Sequence, residues 1–228
     1  QVTEALVSFQ NGLEISQKLA AADPSDTQAQ HDLADSHQRM GEMMLQLGHV
    51  EEARQHFAVD VQIGKELAEN DPNDRHHQRH LCLSYNNLGD VQLQSGQATE
   101  ALASYQKSLE SSEKLTAADP SDAQAQRELA RSHAKLGNLL LQSSQKLVAA
   151  DPSDAQAQHA LDRAIASLRE AIRLEPTGYY IYCLGNALKE KGDVDGAIEC
   201  FRESIRLEPT GWGSPFGLGD GLKAKGDL

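Results

Sequence analysis

Aromatic residues make up only 4% of these 228 residues, and apolar residues of all kinds 39%. A chain so poor in rings does not fill a bulky central core, but it carries enough Ala and Leu for thin, continuous packing between helices. No apolar run approaches the roughly 20 residues that cross a bilayer as a helix. No basic-then-apolar leader opens the chain, so no secretion signal is visible. Positive charge is also short: 21 Lys and Arg against 34 Asp and Glu leave a formal charge of −13. That balance argues against a nucleic acid or an anionic membrane surface as partner, and favours a neutral or basic peptide. Cysteine is sparse and odd in number, with no CxxC pair among Cys82, Cys183 and Cys200. A reducing, cytoplasmic compartment is the simplest expectation, with Cys183 and Cys200 as buried thiols rather than a disulfide.

The marks of chemistry are missing as well. The glycines at 211–221 lack the Lys-Ser/Thr that completes a phosphate loop. Carboxylates fall mostly at expected helix starts, where they favour the helix dipole, rather than in facing pairs. His76-His77-x-x-His80 puts His76 and His80 on one helix face at a spacing that can hold a metal ion. No nearby Cys or carboxylate completes the set, so these read as solvated histidines at a helix start, the others being scattered one per helix. No catalytic residue, metal or cofactor is expected.

What is present is a period. Leu33, Leu81 and Leu129 are spaced by 48, as are Ser36, Ser84 and Ser132, Gly41, Gly89 and Gly137, and Pro24, Pro72 and Pro120. Gly48/Gly96, Ala53/Ala101 and Phe57/Tyr105 keep the same interval. Such a period marks a stacked repeat array. Ala, Leu, Gln, Glu and Lys dominate, and Leu33, His37, Met40, Met44 and Leu47 recur at helical spacing, so the repeated unit is helical. Asp23-Pro24-Ser25-Asp26 stops one helix and starts the next, with Ser25 and Gln28 as a capping box.

Residues 1–22 align with His49–Asn70 as the second helix of a half unit, which reads as truncation of a longer array. Phe9 and Leu13 are then expected to face an exposed or foreign neighbour. Whole units follow at 23–72, with its second helix from about Val50 to Glu69, and at 73–120, with helices near 75–94 and 98–117 joined at Gly96. From 121 the register breaks, because Pro152 follows Pro120 after 32 residues. Residues 121–176 are expected to form one fused hairpin, 123–149 with 155–174, whose weakest point is Ser143-Ser144. A shorter unit occupies 177–209, with helices near 179–190 and 195–207. The glycine-rich remainder, 210–228, reads as a truncated unit with a marginal helix.

The stretch YYIYCLGNALKEKGDVDGAIECFRESIRLEP (179–209) resembles the tetratricopeptide repeat. The family's positions fall on Ile181, Leu184-Gly185, Leu188, Gly192, Ala197, Phe201, Ser204 and Pro209, with Ser204 where Ala is usual. The longer units carry the same marks at Met40-Gly41, Gly48, Ala53, Phe57 and Pro72, and at Leu88-Gly89, Gly96, Ala101, Tyr105, Ser108 and Pro120. Their 14 extra residues fit two added turns per helix. The resemblance implies an all-α fold, a right-handed α-α superhelix (solenoid) of antiparallel helix hairpins running through 1–228 as a single array. It also implies a non-catalytic protein–protein interaction scaffold, a fragment of a larger regulatory or signalling protein, with a partner on its concave face.

First-helix residues would build that face: Asp35, Gln38, Glu42 and Leu45; Leu83, Asn86, Asp90 and Leu93; Arg131, Ala134, Asn138 and Leu141; Tyr179, Tyr182, Asn186 and Lys189. Arg79 and Arg127 lie one turn earlier. Asp35 and Leu83 stand where the family's carboxylate-clamping members have lysines, so such a clamp is not expected. Two alternatives stand beside this reading. One is the substrate-recognition array of a larger enzyme of glycosyltransferase or kinase type. The other is a homo-oligomer stacking through Phe9 or Trp212.

Overall fold

Aspartates at helix starts and glycines at helix ends divide the chain into its elements. The computed structural model describes residues 2–150 and 154–209, and all the regular structure among them is helical. In order these are α1 (Val2–Ala22), α2 (Thr27–Gln46), α3 (Val50–Asn70), α4 (Arg75–Gln94), α5 (Ala98–Ala118), α6 (Ala123–Ala150), α7 (Ala155–Leu174), α8 (Gly178–Lys191) and α9 (Val194–Leu207). The segment 210–228, with Trp212 and the expected marginal helix, lies outside the described residues, as does Pro152.

Each recurrent Asp-Pro-x-Asp turn ends on the capping residue. Asp26 accepts from the backbone N–H groups of Gln28 and Ala29 at 2.9 and 3.1 Å, and Asp74 from those of His76 and His77. Asp122 does the same for α6, and Asp154 accepts from the N–H of Gln156 at the start of α7. The capping box expected of Ser25 does not form. Ser25 instead donates its N–H and hydroxyl to Asp23 Oδ1, at 3.0 and 2.7 Å, which holds the turn. A carboxylate satisfies the free N–H groups at the positive helix end better than a hydroxyl does.

The hairpin turns rest on Gly48, Gly96 and Gly192, with φ of 79°, 78° and 86°. There the N–H of His49, Gln97 and Asp193 reaches back to the carbonyl of Met44, Gln92 and Leu188. The glycine N–H bonds inside that loop, to Leu45, Leu93 and Lys189. This paired pattern closes a helix with a left-handed residue, where glycine carries no Cβ penalty. Across α4 and α5 the partners converge in sequence toward Gly96: Cys82 meets Ser108, Gly89 meets Tyr105 and Gln92 meets Ser104. That order makes the pair antiparallel.

One contact recurs in these hairpins. A Cβ on Gly41 would lie 2.8 Å from the Phe57 ring, on Gly89 2.5 Å from Tyr105, and on Gly185 2.6 Å from Phe201. The rings are almost wholly buried, and Ala53, Ala101 and Ala197 before them are fully so. Serines are accommodated by local bonding. Ser36, Ser84 and Ser132 each donate to the carbonyl one turn earlier. Ser108 and Ser204, at the family's alanine slot, donate across the hairpin to the carbonyls of Cys82 and Gly178.

The chain forms two compact units, 1–119 and 120–228. In the first, Met40, Phe57, Val61, Tyr85 and Val91 form a core shared by α2, α3 and α4. Leu6, Phe9 and Leu13 of α1 pack against it, so Phe9 and Leu13 are half-buried rather than exposed. Among the described side chains of α1, the large apolar residues Val7, Ile15 and Leu19 are exposed. In the second unit, α6 runs unbroken through Ser143-Ser144. Ser144 is fully buried and donates to the Ala157 carbonyl of α7 at 2.9 Å, so the expected weak point ties the hairpin together. Gly137 of α6 receives Leu168 of α7 where the other hairpins place a ring.

The glycine–ring contact sets a substitution test. Gly185→Ala gains about 1 kcal/mol of helix propensity, but the added methyl must displace Phe201 from a filled site, at about 1–3 kcal/mol. The expected result is a lower thermal midpoint by circular dichroism. A raised midpoint would show that the ring moves aside freely.

Candidate partner-binding face

In the first unit α2 and α4 carry the candidate positions, and in the second unit α6 and α8 do. On α2, Gln38 is half-buried and donates its amide to the exposed Glu42 at 2.9 Å. Asp35 is exposed, 3.9 Å from His80 Nε2 on α4. Leu45 is half-buried. On α4, Arg79, Leu83, Asp90 and Leu93 are half-buried, while Asn86 is only 3% exposed. Neither amide atom of Asn86 has a hydrogen-bond partner. Asp90 is engaged within its own hairpin, accepting the Tyr105 hydroxyl at 2.6 Å.

The second unit is arranged differently. Arg127 is exposed and donates to Gln124 of its own helix at 2.6 Å. Asn138 of α6 donates to the Tyr179 hydroxyl of α8 at 3.2 Å, which joins the two helices' strips. Burial pushes the neighbouring Cys183 thiol up, while Tyr179 and Asn138 draw it part of the way back. Tyr182 is half-buried with its ring 5.7 Å from that of Phe201. Asn186 and Lys189 are half-buried. Ala134 and Leu141 are buried in the packing, so they offer a ligand no pocket.

The histidines differ most from the sequence reading. Of the three at the start of α4, His77 and His80 are buried and His76 is exposed. They are not scattered: the ring of His31 on α2 lies 4.6, 4.8 and 5.8 Å from those of His76, His77 and His80. His37 of α2 meets His56 of α3 with the two Nδ1 atoms 3.0 Å apart. His80 Nε2 sits 3.1 Å from Asp60, a fully buried carboxylate on α3. None of these pairs keeps the 48-residue spacing, so the period gave no sign of them. Among the described residues, no group of three His, Cys, Asp or Glu side chains is placed to hold a metal ion. None of the described helices is long and apolar enough to cross a membrane.

A cleft of about 780 Å³ opens on the second-helix side of the first unit, between α3, α4 and α5. Leu81, Tyr85 and Leu115 line it, with Lys65, Lys107 and Glu110 among its polar groups, and the Lys107 ammonium stands 5.4 Å from the Tyr85 ring centroid. The sequence reading, fixed on first-helix residues, missed it. Second-helix positions that look like a solvated face become walls only once two hairpins are stacked.

A family model described as tetratricopeptide repeat matches residues 178–210, and another of the same description matches residues 86–142. These are tetratricopeptide repeats. The crystal structure of BtubC (BKLC) from P. vanneervenii is similar over 100% of this chain and 85% of its own, at 17% identity and a TM-score of 0.68. At that identity the likeness is one of fold. TTC0263, a thermophilic TPR protein of Thermus thermophilus, superposes less closely, with a TM-score of 0.46 at 19% identity over 96% of this chain and 93% of its own. No protein of curated function matches the sequence.

The tetratricopeptide hairpin of α4 and α5 is closed at one edge by Tyr105 and Asp90, which yields a second test. Tyr105→Phe removes a donor to a charged acceptor, worth about 1.5 kcal/mol. Amide exchange in α4 and α5 should then quicken about tenfold. An unchanged rate would mean that water replaces the hydroxyl without loss.

Proposed function

We propose that this chain is a non-catalytic protein-binding scaffold, belonging to a larger regulatory protein, and that the first-helix positions of its units hold extended neutral or basic peptide. The buried, unpartnered amide of Asn86 carries the reading. Leaving such a group unpaired costs about 1–3 kcal/mol. A peptide main chain supplies the matching pair, an N–H for the amide oxygen and a carbonyl for its nitrogen. The exposed carboxylates of Asp35 and Glu42 favour a partner without negative charge. Half-buried Asn138 and Asn186 bring further amides to the second unit, that of Asn138 already donating to the Tyr179 hydroxyl.

An array of 15-residue peptides graded in net charge tests this. Neutral and basic peptides should dominate the bound set, with Asn86→Ala and Asn138→Ala each weakening binding on the order of tenfold, as expected for a lost, desolvated hydrogen-bond pair. Unchanged binding in both variants would reject the residue assignment, and a bound set dominated by acidic peptides would reject the charge preference.

Self-association is a second reading, favoured by α1 rather than by Phe9. Val7, Ile15 and Leu19 are 49%, 59% and 53% exposed on one helix. At the 48-residue offset, Ile15 and Leu19 correspond to Ile63 and Leu67 of α3, which are buried with Ala34 of α2. A helix of a second copy would cover that face in the same way. Light scattering should show concentration-dependent mass that Ile15→Glu abolishes; a constant monomer mass in the parent chain rules this reading out.

A further inference from the structure

Seven of the nine histidines lie in residues 1–119, and six of those meet at the contacts of α2 with α3 and α4. His31 and His37 are each 8% exposed, His77 5% and His80 8%. A buried imidazole packs well when neutral. Its charged form loses hydration and repels like charges at ring-contact distance. The His37–His56 contact holds a single hydrogen between two Nδ1 atoms 3.0 Å apart, so one ring donates and the other accepts. A proton on both would set two N–H groups against each other. His31 lies at ring-contact distance from three rings at once, and its buried Nδ1 has no hydrogen-bond partner.

We propose that the layer formed by α2, α3 and α4 is an acid-sensitive joint: protonation of His31 and His37 drives α2 off α3 and α4 and opens the first unit locally, while the α8–α9 hairpin stays closed. This does not depend on what the first-helix strip binds.

The charges around the two rings favour the neutral state. His31 faces His76, His77 and His80 from α4, against the Asp35 carboxylate of its own helix. His37 faces His56 from α3, with the Asp60 carboxylate of the same helix acting the other way. Asp74 is committed to His77 and to capping α4. On α1 and α5 the charged groups pair locally, Glu14 with Lys18 and Glu110 with Lys114.

Burial first, then neighbouring histidines, lower both His31 and His37 from 6.5 to about 4. Burial also lowers His56. The open form therefore binds more protons than the closed one between pH 6.5 and 4, and the closed form weakens as pH falls through that window. His80 works in the other direction. Burial disfavours its charge, but the Asp60 and Asp35 carboxylates outweigh this and raise its pKa, so its contribution is present in acid and lost as pH rises. One such ring stands against two strongly lowered ones.

The test is amide hydrogen exchange on the whole chain at about pH 7.5 and about pH 5, corrected for intrinsic rates. Opening in α2–α4 is expected to rise by about 30-fold for each of the two rings, less the opposing effect of His80, with α8 and α9 little changed. His31→Leu with His37→Leu should flatten the difference. Equal protection in α2–α4 at both pH values overturns the proposal, as does a loss spread evenly over α2–α9 or one that persists in the double variant. Should the double variant not fold, the histidine ring resonances of the parent chain decide: titration of His31 and His37 near 4 supports the joint, and titration near 6.5 overturns it.

Discussion

A ring seated on a glycine governs the hairpin geometry. Phe57 on Gly41, Tyr105 on Gly89 and Phe201 on Gly185 bring two helices close at one fixed point. With the glycine-ended turn on one side, that point sets the register of the whole pair. The alanine one turn before each ring must then be small, because the backbones have already met there. Much of the low aromatic content follows from this arrangement. In three of the four described hairpins one ring, placed against bare backbone, does the work that a cluster of rings performs in a globular core.

The spacing that fixes this contact is also what made the fold legible. Leu88-Gly89, Gly96, Ala101 and Tyr105 are local signals within one hairpin, and the helices they predicted end within a residue or two of the observed ends. The two helices expected after Pro120 also lie close to their expected bounds, α6 and α7 covering 123–150 and 155–174. What escaped was decided by packing rather than by spacing. Ser25 lost the cap to Asp26 because a carboxylate was one residue away. Phe9 and Leu13 turned inward because α2 offered them apolar cover.

The strip was legible only as positions. The sequence placed Asn86 and Asp90 on one helix face, but it did not tell that Asp90 is held by Tyr105 while Asn86 is buried without a partner. The histidine layer was less visible still. His31 lies in one repeat and His76, His77 and His80 in the next, at an interval the period does not mark. Contacts between repeats carry this part of the physics, and the periodic pattern of a single repeat is silent about them.

Gly137 shows what the recurrent seat tolerates. It receives the branched aliphatic Leu168 where its counterparts receive rings. The seat therefore selects for bulk against bare backbone and not for a π face. A hairpin whose closest contact accepts either kind of side chain needs no ring at this point to keep its two backbones close, and the α6–α7 pair stays packed without one.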